Sequence, residues 1–167
     1  WILPVDVFLY RVGKFFMMSP HRIESSLHIM VGSSLISSTF VTNTEIQNTL
    51  KWYLDEGNRN AFNVDASYLP ATQYGEYSKG SFYDWHYDVN WKGESAYDRK
   101  LSICVQLCNP SEYEGGNFEF KEVEQPTGFK TQGSILVFPS YLTHRVTEVT
   151  SGTRKSLVNW MEGPRWR

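Results

Sequence analysis

From residue 61 to the end of the chain, apolar residues tend to recur at every second position. That period buries one face of a strand, where a helix needs a period near 3.6. The clearest case is Leu101-Ser-Ile-Cys-Val-Gln-Leu-Cys108, in which Leu101, Ile103, Val105 and Leu107 alternate with Ser102, Cys104, Gln106 and Cys108. Residues 61–69, 72–77, 81–88, 117–123, 134–138, 144–149 and 154–161 read as further strands. Polar, glycine-bearing stretches at 90–99, 109–116 and 124–132 read as loops between them. So many short strands after a helical region predict a β-sandwich or barrel with helices packed outside it.

The first 60 residues are less regular. Residues 5–18 are apolar and aromatic without a clean period and read as one or two strands. Ser19-Pro20 has the form of a helix start, and Ile23 and Leu27 share a face, so a first helix is expected to run to about Met30. Residues 33–41 read as a strand. Thr42-Asn43-Thr44-Glu45 has capping-box spacing, and Ile46, Leu50, Tyr53 and Leu54 follow at helical intervals. They predict a helix over residues 44–56, stopped by Gly57, whose apolar stripe packs on a sheet. No internal repeat is present.

A chain of 167 residues suits one domain, with 1–60 as N-terminal strands and supporting helices and 61–167 as the β core. A net charge of −2 gives no electrostatic reason to expect nucleic acid as a partner. The segment of residues 27–41, uncharged apart from His28, is Ser-rich and shorter than a membrane-spanning helix, so no membrane partner is expected. The opening run, Trp1 to Tyr10, is broken by Pro4 and Asp6 and lacks a basic leader, so no secretory signal is expected. Cys104 and Cys108 would lie roughly 13 Å apart on one strand, too far to pair with each other. Two free thiols fit a reducing compartment, and a cytoplasmic location is expected.

The chemistry concentrates in Tyr83-Asp84-Trp85-His86-Tyr87-Asp88. On a strand, His86 and Asp88 project from the same face. An imidazole and a carboxylate so placed supply two thirds of a 2-His-1-carboxylate iron site. Only four histidines exist, so a third ligand comes from a short list: His144 sits just past another strand-like run, while His21 and His28 fall on the expected first helix. Arg154 follows ten residues later. Taken singly, each has a plainer reading: a surface pair on a strand, a loop histidine after Pro139, a solvated charge beside Gly152. Their order, His-x-Asp, then His, then Arg, is what an iron site with a dicarboxylate co-substrate requires.

With the residues around them, these positions resemble a known family, the iron(II)- and 2-oxoglutarate-dependent dioxygenases, in particular the prolyl 4-hydroxylase-like branch. The similarity spans residues 74–160. It rests on Tyr77-Ser-Lys-Gly80, Phe82 to Asp88, Arg99-Lys-Leu-Ser102, Glu114-Gly-Gly-Asn117-Phe118, Gly133 to Ser140, His144-Arg-Val146, Gly152-Thr-Arg154 and Trp160. The resemblance implies a double-stranded β-helix, a jelly-roll-like barrel of mainly β structure with supporting helices. It implies Fe(II) on His86, Asp88 and His144, and 2-oxoglutarate held by Arg154, with Tyr77 and Ser156 adding polar contacts. Tyr74 and Tyr83 compete with Tyr77 for that role, and Tyr83, Arg99 and Trp160 are candidates for the substrate pocket. At Leu107 the chain departs from relatives that carry a tyrosine there. The implied reaction hydroxylates an unactivated C–H while 2-oxoglutarate and O2 become succinate and CO2, with ascorbate as a candidate reductant. Asp88 speaks against a halogenase, which needs that metal position open. A prolyl residue of a peptide or protein is the expected substrate, with loops 90–99 and 124–132 as candidate lids. Two alternatives stand beside it: hydroxylation of a free amino acid or other small metabolite, and a non-catalytic cupin-like metal-binding domain.

Overall fold

The last strand is the spine of the molecule. In the computed structural model, which describes residues 8–11, 26–31, 34–93 and 95–166, it runs unbroken over sixteen residues, Val149–Pro164. In chain order the elements are β1 (Phe8–Arg11), β2 (Ser26–Val31), β3 (Ser34–Phe40), α1 (Thr44–Gly57), β4 (Ser67–Ser78), β5 (Tyr83–His86), β6 (Tyr97–Gln106), β7 (Tyr113–Gly115), β8 (Phe118–Phe120), β9 (Ser134–Pro139), β10 (His144–Val146) and β11 (Val149–Pro164). β11 lies between β4 and β6 in a large antiparallel sheet of order β1-β9-β6-β11-β4-β3-β2. β7 adds to the first residues of β11. A second sheet, β5-β10-β8, faces the first across a cavity. The arrangement is jelly-roll-like and mainly β, and among the described residues the sheet edges are open and no barrel closes.

Alternation decides what each face of the large sheet meets. Leu101, Ile103 and Val105 of β6, Ile135 and Val137 of β9, and Leu157 and Met161 of β11 form one buried layer with Leu50 and Leu54 of α1. Leu50 and Leu54 have no exposed surface, a burial that stabilises by about 1.5–3 kcal/mol for each side chain. The other face turns Cys104, Leu136 and Phe138 toward Phe120, Phe129 and Leu142. The same inward face of β11 carries Arg154, Ser156, Val158 and Trp160 to the cavity between the sheets.

Several local expectations change. Ser26 to Met30, expected to end a helix, lies in β2, paired residue for residue with β3 from Ser26↔Thr39 to Val31↔Ser34. Residues 19–25 lie outside the described residues, as do residues 5–7 and 12–18 of the expected first strands. Sheet pairing overrides a short helical spacing that Ile29 and Val31 never favoured. α1 begins as expected, but Asn43, not Thr42, caps it: its Oδ1 accepts the Ile46 N–H at 3.1 Å. The chain does not stop at Gly57. It continues through a π turn over Asn58–Phe62 and closes at Asn63, which is left-handed at φ 47°. Gly57 instead permits a close approach, since a Cβ there would stand 3.0 Å from Val137. Of the two strands expected at 61–69 and 72–77, residues 61–66 lie in the π turn and the link after it, and residues 67–69 run on with 72–77 as one strand, β4. Pro70 is tolerated because it sits where the pairing with β11 slips between Val158↔Gln73 and Trp160↔Leu69. Among the described residues, no helix is long and apolar enough to cross a membrane.

Candidate metal and co-substrate site

His86 ends β5, His144 opens β10, and the two are direct partners across the small sheet. Asp88 lies two residues past β5, where its N–H donates to the Ser140 carbonyl at 2.9 Å. The ligand atoms of His86, Asp88 and His144 all lie within 4.8 Å of one another. Each histidine Nε2 is 3.9 Å from a different oxygen of Asp88. Each Nδ1 bonds a carbonyl oxygen two residues earlier: His86 to Asp84 at 2.7 Å and His144 to Leu142 at 2.9 Å. A carbonyl only accepts, so Nδ1 carries the hydrogen and the Nε2 lone pair faces the cluster. Burial and the neighbouring His144 hold the His86 pKa down at about 4, which keeps this imidazole neutral and ready to ligate. His144 is 5% exposed and is walled by Phe118, stacked at 5.3 Å, and Phe138, edge-on at 5.0 Å.

Arg154 is the largest fully buried side chain described, at 1% exposure. Its Nη1 donates to Ser156 Oγ at 3.3 Å and its Nη2 has no partner. Among the described residues no carboxylate pairs with it. The Tyr77 ring lies 5.3 Å from its guanidinium carbon. Burial raises the Tyr77 phenol pKa against the pull of Arg154, so Tyr77 stays a neutral hydroxyl. Tyr113 flanks the arginine as well; burial pushes its phenol up to about 12, and it accepts a hydrogen bond from Gln106 Nε2 at 2.8 Å. A buried guanidinium with an idle donor and no counter-ion is costly unless an anion completes it. That idle fork and the metal-type cluster line one cavity of about 140 Å³, together with Tyr77, Tyr83, Ser102, Cys104, Phe118, Ser156, Val158 and Trp160. A dicarboxylate bridging metal and arginine therefore fits the residues present.

Comparison with known proteins decides the family. Residues 72–162, more than half of the chain, match the model of the 2OG-Fe(II) oxygenase superfamily. The chain belongs to this superfamily. Its curated relatives include a PKHD-type hydroxylase of Prochlorococcus marinus, 38% identical over 51% of this chain and 38% of that protein. A PKHD-type hydroxylase of Rippkaea orientalis is 30% identical over 70% of this chain and 53% of its own length. The chain thus spans about half the length, or less, of these two relatives. Solved structures agree in fold. A collagen prolyl hydroxylase of Paramecium bursaria Chlorella virus-1 superposes with a TM-score of 0.60 at 20% identity, over 78% of this chain and 80% of that one. A Pseudomonas putida prolyl-4-hydroxylase gives 0.59 at 17% identity, over 78% and 73%. A Trichoplax adhaerens prolyl hydroxylase, in complex with a hypoxia inducible factor peptide fragment, gives 0.60 at 16% identity, over 81% and 65%. The superfamily takes Fe(II) and 2-oxoglutarate, the two groups for which the cavity has a His-Asp-His cluster and an idle arginine fork.

The structure brings His86, Asp88, His144, Tyr77, Arg154 and Ser156 to one cavity, with Tyr83 and Trp160 beside them. Among the competing tyrosines, Tyr74 packs on the outer core and donates its hydroxyl to Glu76, while Tyr83 stacks edge-on against His86 at 3.8 Å. Arg99 lies outside the cavity lining, with its guanidinium 3.7 Å over the Trp160 ring. Leu107 packs against the outer core. Loop 124–132 is tied down, since Phe129 is buried and Gln125 bridges both backbone groups of Phe120. Sequence reasoning gave Ser102, Ser140, Gln106 and Tyr113 no role. Ser102 and Gln106 were nonetheless legible as positions alternating with the apolar ones on the most regular strand, and Ser102 lines the cavity.

Proposed function

We propose that this protein is a 2-oxoglutarate-dependent dioxygenase that hydroxylates an unactivated C–H, with a prolyl residue of a peptide or protein as substrate. The observation that carries this reading is Arg154: a binding domain that holds only a metal has no use for a buried, unpaired guanidinium in the same cavity as its ligands. His86 and His144 would hold Fe(II) through Nε2, with each ring oriented by its Nδ1 contact to a backbone carbonyl, and Asp88 would supply the carboxylate. Arg154 pairs with the distal carboxylate of 2-oxoglutarate through its planar fork, assisted by Ser156 and Tyr77. Phe118, Phe138, Val146 and Val158 keep bulk water from the reacting face. When bound, Fe(II) supplies the redox chemistry by which one oxygen atom of O2 enters the substrate C–H and the other enters succinate, with release of CO2.

The peptide substrate is supported by two observations. Three solved structures of similar fold are prolyl hydroxylases, one of them in complex with a peptide fragment. In this chain Trp85, Tyr87 and Trp91 stay exposed in the segment that carries His86 and Asp88. Incubation with Fe(II), 2-oxoglutarate and ascorbate should convert a prolyl peptide to a product heavier by one oxygen atom, with matching succinate. Succinate formed only with free amino acids would replace the peptide by a small metabolite. No succinate with any member of a broad panel would contradict the enzyme reading.

A further inference from the structure

We propose that Ser102, Ser140 and Trp160 form a latch that holds Asp88 to a single metal-binding oxygen, Oδ1. This rests on the reading of His86, Asp88 and His144 as a metal site. Asp88 leaves the small sheet at the end of β5, yet its carboxylate is held by the large sheet. Ser102 of β6 donates to Oδ2 at 2.6 Å, and the Trp160 indole of β11 donates to the same oxygen at 2.9 Å. Ser102 and Trp160 are direct partners across β6 and β11, so the sheet register aims both donors at one atom. Ser140 Oγ lies 2.9 Å from Ser102 Oγ, and the Ser140 carbonyl accepts the Asp88 N–H.

The proton pattern along this chain is determined. An ionised carboxylate only accepts, so the Ser102 hydrogen points to Asp88, and Ser140 must donate to Ser102. An indole N–H can only donate. Two donors therefore occupy Oδ2 and leave Oδ1 free to ligate. All three side chains are at most 6% exposed, so water does not compete for these bonds. Their roles are positioning ones: Ser102 and Trp160 touch the carboxylate and Ser140 acts through Ser102, none of them touching the metal, and together they set the carboxylate's orientation and the number of oxygens it offers. Partners of this kind are worth about 10–100-fold in metal affinity. The latch also ties the two sheets together at the metal, so the ligand from one sheet moves only with the other.

The test is anaerobic Co(II) binding, read by the visible absorption of the ion, which reports coordination number. Ser102→Ala and Trp160→Phe should each weaken Co(II) binding about 10–100-fold. Each should also change the intensity of the visible bands, because Oδ2, left with one donor instead of two, can join the metal, while far-ultraviolet circular dichroism stays unchanged. Ser102→Thr, which keeps the hydroxyl, should restore the wild-type bands; Trp160→Phe serves if the extra methyl disturbs the strand. Wild-type affinity and bands in both Ser102→Ala and Trp160→Phe would overturn the latch while leaving the metal site intact. A wild-type protein that binds no Co(II) would overturn the metal site and the latch with it.

Discussion

Arg154 is the side chain in which the plain and the functional readings differ most. A solvated turn arginine could be replaced with a stability change under about 0.5 kcal/mol. Arg154 is instead buried, with Nη2 idle. Arg154→Ala should weaken 2-oxoglutarate binding by about 2–5 kcal/mol, or roughly thirty- to several-thousand-fold, in calorimetric titration. Arg154→Lys keeps the charge, loses the fork, and should fall between. Affinity for the metal alone should stay unchanged in both, and its loss in Arg154→Ala would place the arginine in the metal site. The residue types and their order announced His86, Asp88, His144 and Arg154, because few side chains can perform this chemistry. Ser140 and Tyr113 were not legible. A serine or tyrosine acquires such a role only through what faces it across the cavity, and no periodicity records that.

At the scale of elements, the delivery of Arg154 depends on where β11 begins. Gly152 sits at φ 71°, and a Cβ there would stand 2.0 Å from the Glu112 carbonyl oxygen. Its register partner is Tyr113 of β7, so the backbone is hemmed in two residues before Arg154. Gly152→Ala should lower the melting temperature and weaken 2-oxoglutarate binding together, because β7 must shift. Gly80→Ala is the control: its φ is 87° but nothing lies within 4 Å, so strain of about 1–2 kcal/mol should appear without a change in affinity. Equal effects of the two substitutions on affinity would contradict the account. Alternation located β6 and the inward face of β11 from sequence, whereas β9 is apolar throughout from Ile135 to Phe138 because both of its faces are buried. β2 was misread because six residues with two β-branched positions carry little pattern, and its strand character comes from β3. The break read between residues 69 and 72 is absent from β4, and the slip in register that accommodates Pro70 is a property of two strands together.

For the molecule as a whole, the site exists only because two sheets face each other. His86 and His144 come from the small sheet and Arg154 and Ser156 from the large one. The strand count in the sequence foretold a sandwich or barrel, but not the pairing order or the open edges, since partner choice over long separations leaves no mark within any one strand. Under the proposed reading of the cavity shared by both sheets, one ligand touches the metal and the arginine at once. Binding of metal and of 2-oxoglutarate must then be coupled, and equally in both directions. The decisive measurement is anaerobic calorimetric titration of 2-oxoglutarate into wild-type protein and His144→Ala, each with and without Fe(II). The account predicts tight, one-to-one binding by wild type that depends on Fe(II), and a residual affinity in His144→Ala that Fe(II) does not raise. Binding to wild type that is the same with and without Fe(II) would contradict it.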